Sequence, residues 1–518
     1  MKVLIEKETL TAENAALKNR IYELETLVKY YEEQFRLAKH RQFGSSSEKS
    51  EYDVDQINLF DEAEVIADIN TPEPELVEVE KHYRRRKRSA GDRLPPDLPV
   101  EVVAHELPPD GQLCPDCGEA LHVMGHEIRR ELKIIPAQAV IVEHRQHIYS
   151  CRNCEKTNDH TPIVKAAMPE PVIKGGFASA ESVAHIMTQK FVMSVPLYRQ
   201  EQEWNRNGIM LSRQTMSNWL IRCANDWLKP IYGRLKKQLL ERDVLHGDET
   251  TLQVLHEPGK PAQSKSYMWL YRTSGDTQKS IILYEYQPNR KWEHPEAFLK
   301  GFKGYLHADG YEGYHNLPDD FIVVGCWAHM RRKFDEALKV LPEKDREDSG
   351  AMTGKRYCDR LFRNEREFAD MKSSERFDKR MELSKPLLDE FFSWVENLNV
   401  LPKSLLGLAA SYAMSQRTYL ERFLLDGRLE ISNNRAERSI KPFVIGRKNW
   451  LFANTPNGAK ASSIIYSIIE TAKENHLKPF EYLVFLLQII PNSTTGKLDD
   501  FLPWSDQIPD VCRIPMKT

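Results

Sequence analysis

No run of 18 or more apolar residues occurs in the chain, which argues against a membrane-spanning helix, since crossing a bilayer core takes about 20. The opening residues, Met1-Lys2-Val3-Leu4-Ile5-Glu6-Lys7-Glu8, lack the apolar centre of a secretory signal, so a cytoplasmic protein is expected. Cysteine is sparse, at 8 in 518 residues, and a cytosolic setting favours metal binding over disulfides for what there is. Net charge is low as well: 73 basic and 76 acidic side chains leave −3. That balance does not exclude nucleic acid, because binding follows local basic patches rather than the total. Lys and Arg are missing altogether from Glu51 to Glu80, a stretch rich in Asp and Glu and a poor core former. Lys81, Arg84, Arg85, Arg86, Lys87 and Arg88 follow at once. Both a solvated linker and a DNA-contacting cluster fit this run.

What is present divides into modules. The chain is too long for one core, so three or more are expected, and 41% hydrophobic with 29% charged residues describes an ordinary soluble protein. Leu10, Leu17, Leu24 and Tyr31 recur every seven residues, with Asn14, Ile21, Val28 and Phe35 interleaved. This is the a/d seam of a coiled coil over residues 1–43; Ile21 and Val28 at a with Leu at d favour a dimer, and Asn14 fixes register. An amphipathic helix packed on its own domain is the rival. Gly44-Ser45-Ser46-Ser47 then opens an acidic linker (44–80).

The cysteines form two pairs, Cys114/Cys117 and Cys151/Cys154, and four singles. Two C-x-x-C turns supply four thiolates for a tetrahedral structural zinc, which replaces a core too small to fold alone. A basic segment and zinc ribbon are expected over 81–165, with its hairpin built from strands at Ala139-Val140-Ile141-Val142 and His147-Ile148-Tyr149. Residues 178–228 read as helical. One helix begins at Pro196 and ends at Asn207-Gly208; Ser212 caps a second, from Arg213 to Leu228, with Trp219 and Leu220 on its apolar face. This is a helix-turn-helix outline within 166–238, although two packed helices with no DNA role give the same pattern.

Strand character begins near Asp243: 244–254, 267–271, 280–284, 304–310 and 321–326, with a helix at 292–302 between the third and fourth. Three strands, a helix, then two strands is the order of an RNase H-like sheet. Asp248 and Asp309 are expected at the ends of its first and fourth strands, where their carboxylates share magnesium or manganese, while alternation sends Glu249 to the other face. Paired ions of this kind activate an attacking oxygen and stabilise the leaving one in phosphoryl transfer. A third acid is sought on a later helix, and Glu437 stands among Arg435, Arg438, Lys441, Arg447 and Lys448, cations suited to phosphate. A capping-box pairing with Asn434 is the competing account of Glu437. Helical, charge-rich residues at about 335–425 are expected to interrupt the catalytic domain (239–470), ahead of a helical tail (471–518).

Asp248-Glu249-Thr250, His307-Ala308-Asp309-Gly310-Tyr311, Cys326-Trp327-Ala328-His329-Met330-Arg331-Arg332-Lys333-Phe334, Asn433-Asn434-Arg435-Ala436-Glu437-Arg438 and Gly446-Arg447-Lys448-Asn449-Trp450-Leu451-Phe452 resemble transposases of the insertion sequence 66 family. The resemblance spans nearly the whole chain. It implies a multidomain α+β protein: N-terminal coiled coil, zinc ribbon, helix-turn-helix-like helices, and an RNase H-like α/β catalytic core with a helical insertion. By it, Asp248, Asp309 and Glu437 match the catalytic acids, and His329 and Arg332 match a family motif. His329 then faces DNA, or else is a satisfied core histidine. Arg213 and Arg331 join the expected DNA contacts. The resemblance also implies DNA strand cleavage and transfer at element ends, a bacterial nucleoid-associated setting, and accessory proteins encoded by the same element. A non-catalytic regulator and a nuclease without strand transfer are the alternatives.

Overall fold

The computed structural model describes residues 163–515 except 276–278, 319 and 494–496, together with 138–151, Val102 and positions 17, 18, 20, 21, 24, 28, 31, 32 and 35. Arg84, Arg85, Arg86, Lys87, Arg88, Cys114, Cys117 and Cys154 lie outside the described residues. The chain divides into two compact units, Ser47–Ala167 and a larger one of Met1–Ser46 with Met168–Thr518.

In the smaller unit, β1 (Ile148–Ser150) pairs antiparallel with β2 (Ile163–Lys165), Tyr149 opposite Val164. The expected strand at 139–142 is not formed. β1 takes its ladder from beyond the second cysteine pair instead, and Val140 and Ile141 are left exposed. Cys151 directly follows β1 and is exposed.

The seam positions Leu17, Ile21, Leu24, Val28, Tyr31 and Phe35 are helical and all exposed. From residue 180 the larger unit begins with helices. Ser179 and Ser182 cap α1 (Ala180–Phe191) reciprocally, each hydroxyl accepting the other's N–H. α2 (Leu197–Arg206) stops at Asn207, where Gly208 takes φ +75°, a left-handed turn that costs glycine nothing. Ser212 Oγ accepts the Thr215 N–H at 3.1 Å and opens α3 (Arg213–Cys223). Met216, Trp219, Leu220 and Cys223 are its buried positions, the i, i+3, i+4, i+7 stripe of a packed helix. The helix does not stop at Leu228: one π-helical turn, Ala224–Leu228, carries it into α4 (Lys229–Leu240).

The strands then follow as the sequence predicts: β3 (Val244–Gln253), β4 (Lys265–Thr273), β5 (Ile282–Gln287), helix α5 (Glu293–Phe298), β6 (Gly304–His307), the short helix α6 (Glu312–His315), and β7 (Phe321–Val324). They form one sheet in the order β5-β4-β3-β6-β7. The first three strands are antiparallel, while β3–β6 and β6–β7 are parallel.

A helical run occupies the next hundred residues: α7 (Trp327–Lys339), α8 (Glu343–Arg346), α9 (Gly350–Glu367), α10 (Ser373–Lys379), α11 (Lys385–Glu396) and α12 (Leu405–Glu421). It has its own aromatic core around Trp327, Phe334, Leu361, Phe391 and Phe392. The guanidinium of Arg380, fully buried, locks its far end. It donates to the carbonyls of Phe423, Asp426 and Leu429 and to both carboxylate oxygens of Glu365, all within 2.9 Å. Burying such a cation is tolerable only when it is fully paired in this way.

The chain then returns to the sheet as α13 (Asn434–Trp450), α14 (Pro456–Glu474) and α15 (Pro479–Ile489). α14 lies along the outer strand. Ser467 and Thr471 hydroxyls accept the N–H groups of Tyr284 and Ile282, and Thr471 also donates to the Ile282 carbonyl. The otherwise open edge of β5 is thereby satisfied. The tail is docked, with Phe501 and Leu502 buried. Among the described residues no helix is long and apolar enough to cross a membrane.

Candidate active site

Two strands carry the same tripeptide spacing, His246-Gly247-Asp248 on β3 and His307-Ala308-Asp309 at the end of β6. Side chains alternate along a strand, so in each the histidine and aspartate share a face. The parallel register sets His246 beside His307, and their rings stack at 4.4 Å. Two residues on, Asp248 and Asp309 occupy neighbouring positions. Asp248 is not at the end of its strand as expected. It sits mid-strand, where pairing with β6 has ended and pairing with β4 continues to Gln253.

Each aspartate is pinned locally, by Glu249 N–H to Asp248 Oδ1 at 2.8 Å and by Tyr311 N–H to Asp309 Oδ1 at 3.0 Å. Glu437 arrives on the first turn of α13. The capping-box account of it is not realised: the N-cap is Asn433, which makes no side-chain cap. The Asn433 carboxamide instead reaches into the sheet. Its Nδ2 donates to the Gly247 carbonyl at 2.7 Å, which makes Oδ1 the acceptor facing His246 Nδ1 at 3.0 Å. One side chain thus fixes the start of α13 against the strand that bears Asp248.

The electrostatics are those of an acid cluster lacking enough positive charge. Burial, followed by the like charges of Glu249, Asp309 and Glu437, pushes the Asp248 carboxyl well above the usual range. Glu437 Oε1 is buried with no hydrogen-bond partner, 3.7 Å from His329 Nδ1, and Oε2 faces Arg332 at 3.5 Å. Converging carboxylate oxygens with an unsatisfied buried member are the donor set a hard divalent cation prefers. The two histidines beneath them stay neutral: burial drives His246 down to about 4 and His307 well below its ordinary value. His307 Nε2 accepts the Glu430 N–H at 3.2 Å, so its proton resides on Nδ1.

Glu249 does point to the other face, as alternation requires, yet it is not remote from the cluster. It accepts from Tyr314 at 2.7 Å and from Arg290 Nε at 2.7 Å. The same Arg290 guanidinium lies 4.0 Å from Asp309 and stacks on Tyr311 at 3.7 Å. This Glu249–Arg290–Asp309 relay was not anticipated from the sequence. The paired His-x-Asp spacing was visible there and would have indicated which face carries the site. Gly310, next to Asp309, leaves room for Tyr412 of α12: an added Cβ would stand 2.7 Å from the tyrosine oxygen.

The basic residues divide by use. Arg331 pairs with Asp359 at 2.6 Å, Arg435 with Glu430 at 2.7 Å, and Arg447 donates to Thr250, Thr251 and the Thr251 carbonyl. These three tie α7 and α13 to their neighbours. Arg438 and Lys448 are exposed on α13, and Lys441 is half-buried. Arg213 at the start of α3 is exposed beside Tyr198.

A family model described as "Transposase IS66 family" matches residues 175–461, more than half of the chain. The chain belongs to the IS66 transposase family. Three further models cover other parts of this transposase: a zinc-finger binding domain of transposase IS66 at 112–155, a "Transposase C of IS166 homeodomain" at 30–103, and an IS66 C-terminal element at 467–504. The zinc-finger match spans both cysteine pairs. Relatives include the uncharacterized proteins y4qI and y4jD of Sinorhizobium fredii (strain NBRC 101917 / NGR234). y4qI is 30% identical over 78% of this chain and 75% of the relative, and y4jD is 30% identical over 80% and 81%. The uncharacterized y4hP of the same organism is 29% identical over 81% and 77%. The transposase is thus a multidomain α+β protein with a zinc-finger domain, a helix-turn-helix-like segment and the DNA-binding features of its family.

Proposed function

We propose that this transposase cuts and joins DNA at a single site formed by Asp248, Asp309 and Glu437 on an RNase H-like core. The observation that carries the reading is the convergence of three carboxylates from two adjacent parallel strands and a helix 128 positions later, with Asp248 held above its ordinary range by burial and by the others' charges. The strand order, three antiparallel then two parallel, supports the fold assignment. Magnesium or manganese bound by the three acids would supply the Lewis acidity that activates an attacking oxygen and steadies the leaving one.

The protein's own residues supply position. Asn433 holds α13, and with it Glu437, against β3; Arg290, itself held by Glu249, faces and orients Asp309; Arg438, Lys441 and Lys448 offer phosphate contacts along α13. Water first opens a phosphodiester at the element end and leaves a 3′-hydroxyl. That hydroxyl then attacks a phosphodiester of the target strand, forming a new P–O bond as the old one breaks. Zinc held by Cys114, Cys117, Cys151 and Cys154, together with α2–α3, would set the recognition of element ends. The exposed seam from Leu17 to Phe35 supports pairing of two copies through a coiled coil.

Purified protein incubated with labelled element ends and magnesium tests the reading. Wild type is expected to nick the ends, and Asp309→Ala to reduce this by at least about a hundredfold, as losing a principal electrostatic catalyst does. Absence of metal-dependent nicking by wild type would overturn the assignment.

A further inference from the structure

Beside Glu437, Cys326 stands at the N-cap of α7 and His329 lies on its first turn, close enough to feel the charge of Asp309 as well. Cys326 Sγ, an imidazole nitrogen of His329 and a Glu437 carboxylate oxygen all lie within 4.8 Å of one another. Ligand atoms around a four-coordinate zinc sit about 3.3–3.8 Å apart, given bonds of about 2.0–2.3 Å. For a nitrogen–oxygen pair that spacing falls at about 3.3–3.5 Å, and His329 Nδ1 and Glu437 Oε1, at 3.7 Å, lie just beyond it. Both atoms are buried and neither has a hydrogen-bond partner, an arrangement that costs stability unless something else is meant to sit between them. Arg332 engages only the other oxygen, Oε2. Cys326 is buried at the N-cap of α7, its sulfur accepting the Asn433 N–H at 3.2 Å, so the thiol is held in place on the same residue that anchors α13.

We infer that Cys326, His329 and Glu437 form a second metal site, for a zinc-class cation, which withdraws Glu437 from the catalytic acids when filled. The chemistry of the donors sets the selectivity. Thiolate and imidazole suit zinc and cobalt, whereas magnesium demands oxygen ligands and gains nothing from sulfur. Binding releases the Cys326 proton to solvent. Three protein ligands leave a fourth position open toward solvent, where His329 and Glu437 are both partly exposed. A carboxylate oxygen committed to zinc no longer neutralises charge beside Asp248 and Asp309, so strand cleavage stops. Zinc and magnesium therefore compete for one residue.

This inhibitory role rests on the proposed part played by Glu437 in cleavage; the metal site itself does not. Two measurements on the full chain keep the failures apart. In the first, protein carrying one equivalent of zinc, enough for the zinc-finger thiols alone, is titrated with cobalt(II), and the thiolate-to-cobalt charge-transfer band is compared between wild type and Cys326→Ser. Serine keeps the N-cap and the acceptor for Asn433 but not the thiolate. A band in wild type that is lost in Cys326→Ser is expected; equal bands, or none, would overturn the site whether or not the protein cleaves DNA. In the second, zinc is added to magnesium-dependent nicking. Wild type is expected to be inhibited, and Cys326→Ser to need about tenfold more zinc or beyond, the scale on which losing a metal partner weakens affinity. Equal inhibition of both proteins would sink the competition. An inactive wild type that still shows the cobalt band would sink the cleavage assignment instead.

Discussion

Removing the Asn433 carboxamide would strand two buried groups at once, the Gly247 carbonyl and the Nδ1–H of His246. Each unsatisfied group costs about 1–3 kcal/mol, so Asn433→Ala is expected to destabilise by roughly 2–4 kcal/mol in urea denaturation. Asn433→Ala should also lower nicking in the surviving folded fraction, since Glu437 loses its anchor to β3. A variant as stable as wild type would show that α13 is held by its packing alone. At this scale the sequence was only half legible. The two aspartates were readable from strand order, because alternation and register leave few choices. Asn433 and Arg290 were not, because each acts across a tertiary contact that no local spacing announces. Glu437 was ambiguous in the sequence for a similar reason: an acid near a helix start satisfies capping rules and metal rules alike until the cap residue is known.

Among the elements, β5 carries a titration that belongs to folding rather than to chemistry. Burial raises Glu285 to about 7, against the relief offered by Lys236, with Tyr232 and Tyr271 nearby. Its Oε2 has no hydrogen-bond partner. Because the folded carboxyl holds its proton more tightly than the unfolded one, its contribution is fully present below about pH 4.5. That contribution is lost as pH rises toward 7. Glu285→Gln is expected to flatten the fall in stability between pH 5 and 7.5 and to gain on the order of 2 kcal/mol at the upper end, as read by denaturation at each pH. An unchanged slope would place the titration elsewhere. Strand and helix positions were legible because their apolar periods are clean; the π-helical join into α4 and the partner of β1 were not. Both depend on which surface is available to pair, and Val140-Ile141 have the composition of a strand without a neighbour to complete it.

For the whole molecule, the exposed seam at Leu17, Ile21, Leu24, Val28, Tyr31 and Phe35 predicts self-association. Deleting residues 1–40 should abolish paired-end complexes in a gel-shift assay while leaving single-end binding in place. Paired complexes that persist would move the dimer contact elsewhere. The order in which the chain is made also matters. Tyr284 and Ile282 of the outer strand find their acceptors on α14, 183 and 189 residues further along. At the usual 5–20 residues per second, that partner leaves the ribosome about 10–40 s after the strand does. Throughout that interval the nascent sheet presents an unpaired edge, and this is when a chaperone, or another unfinished copy, would find the protein most receptive.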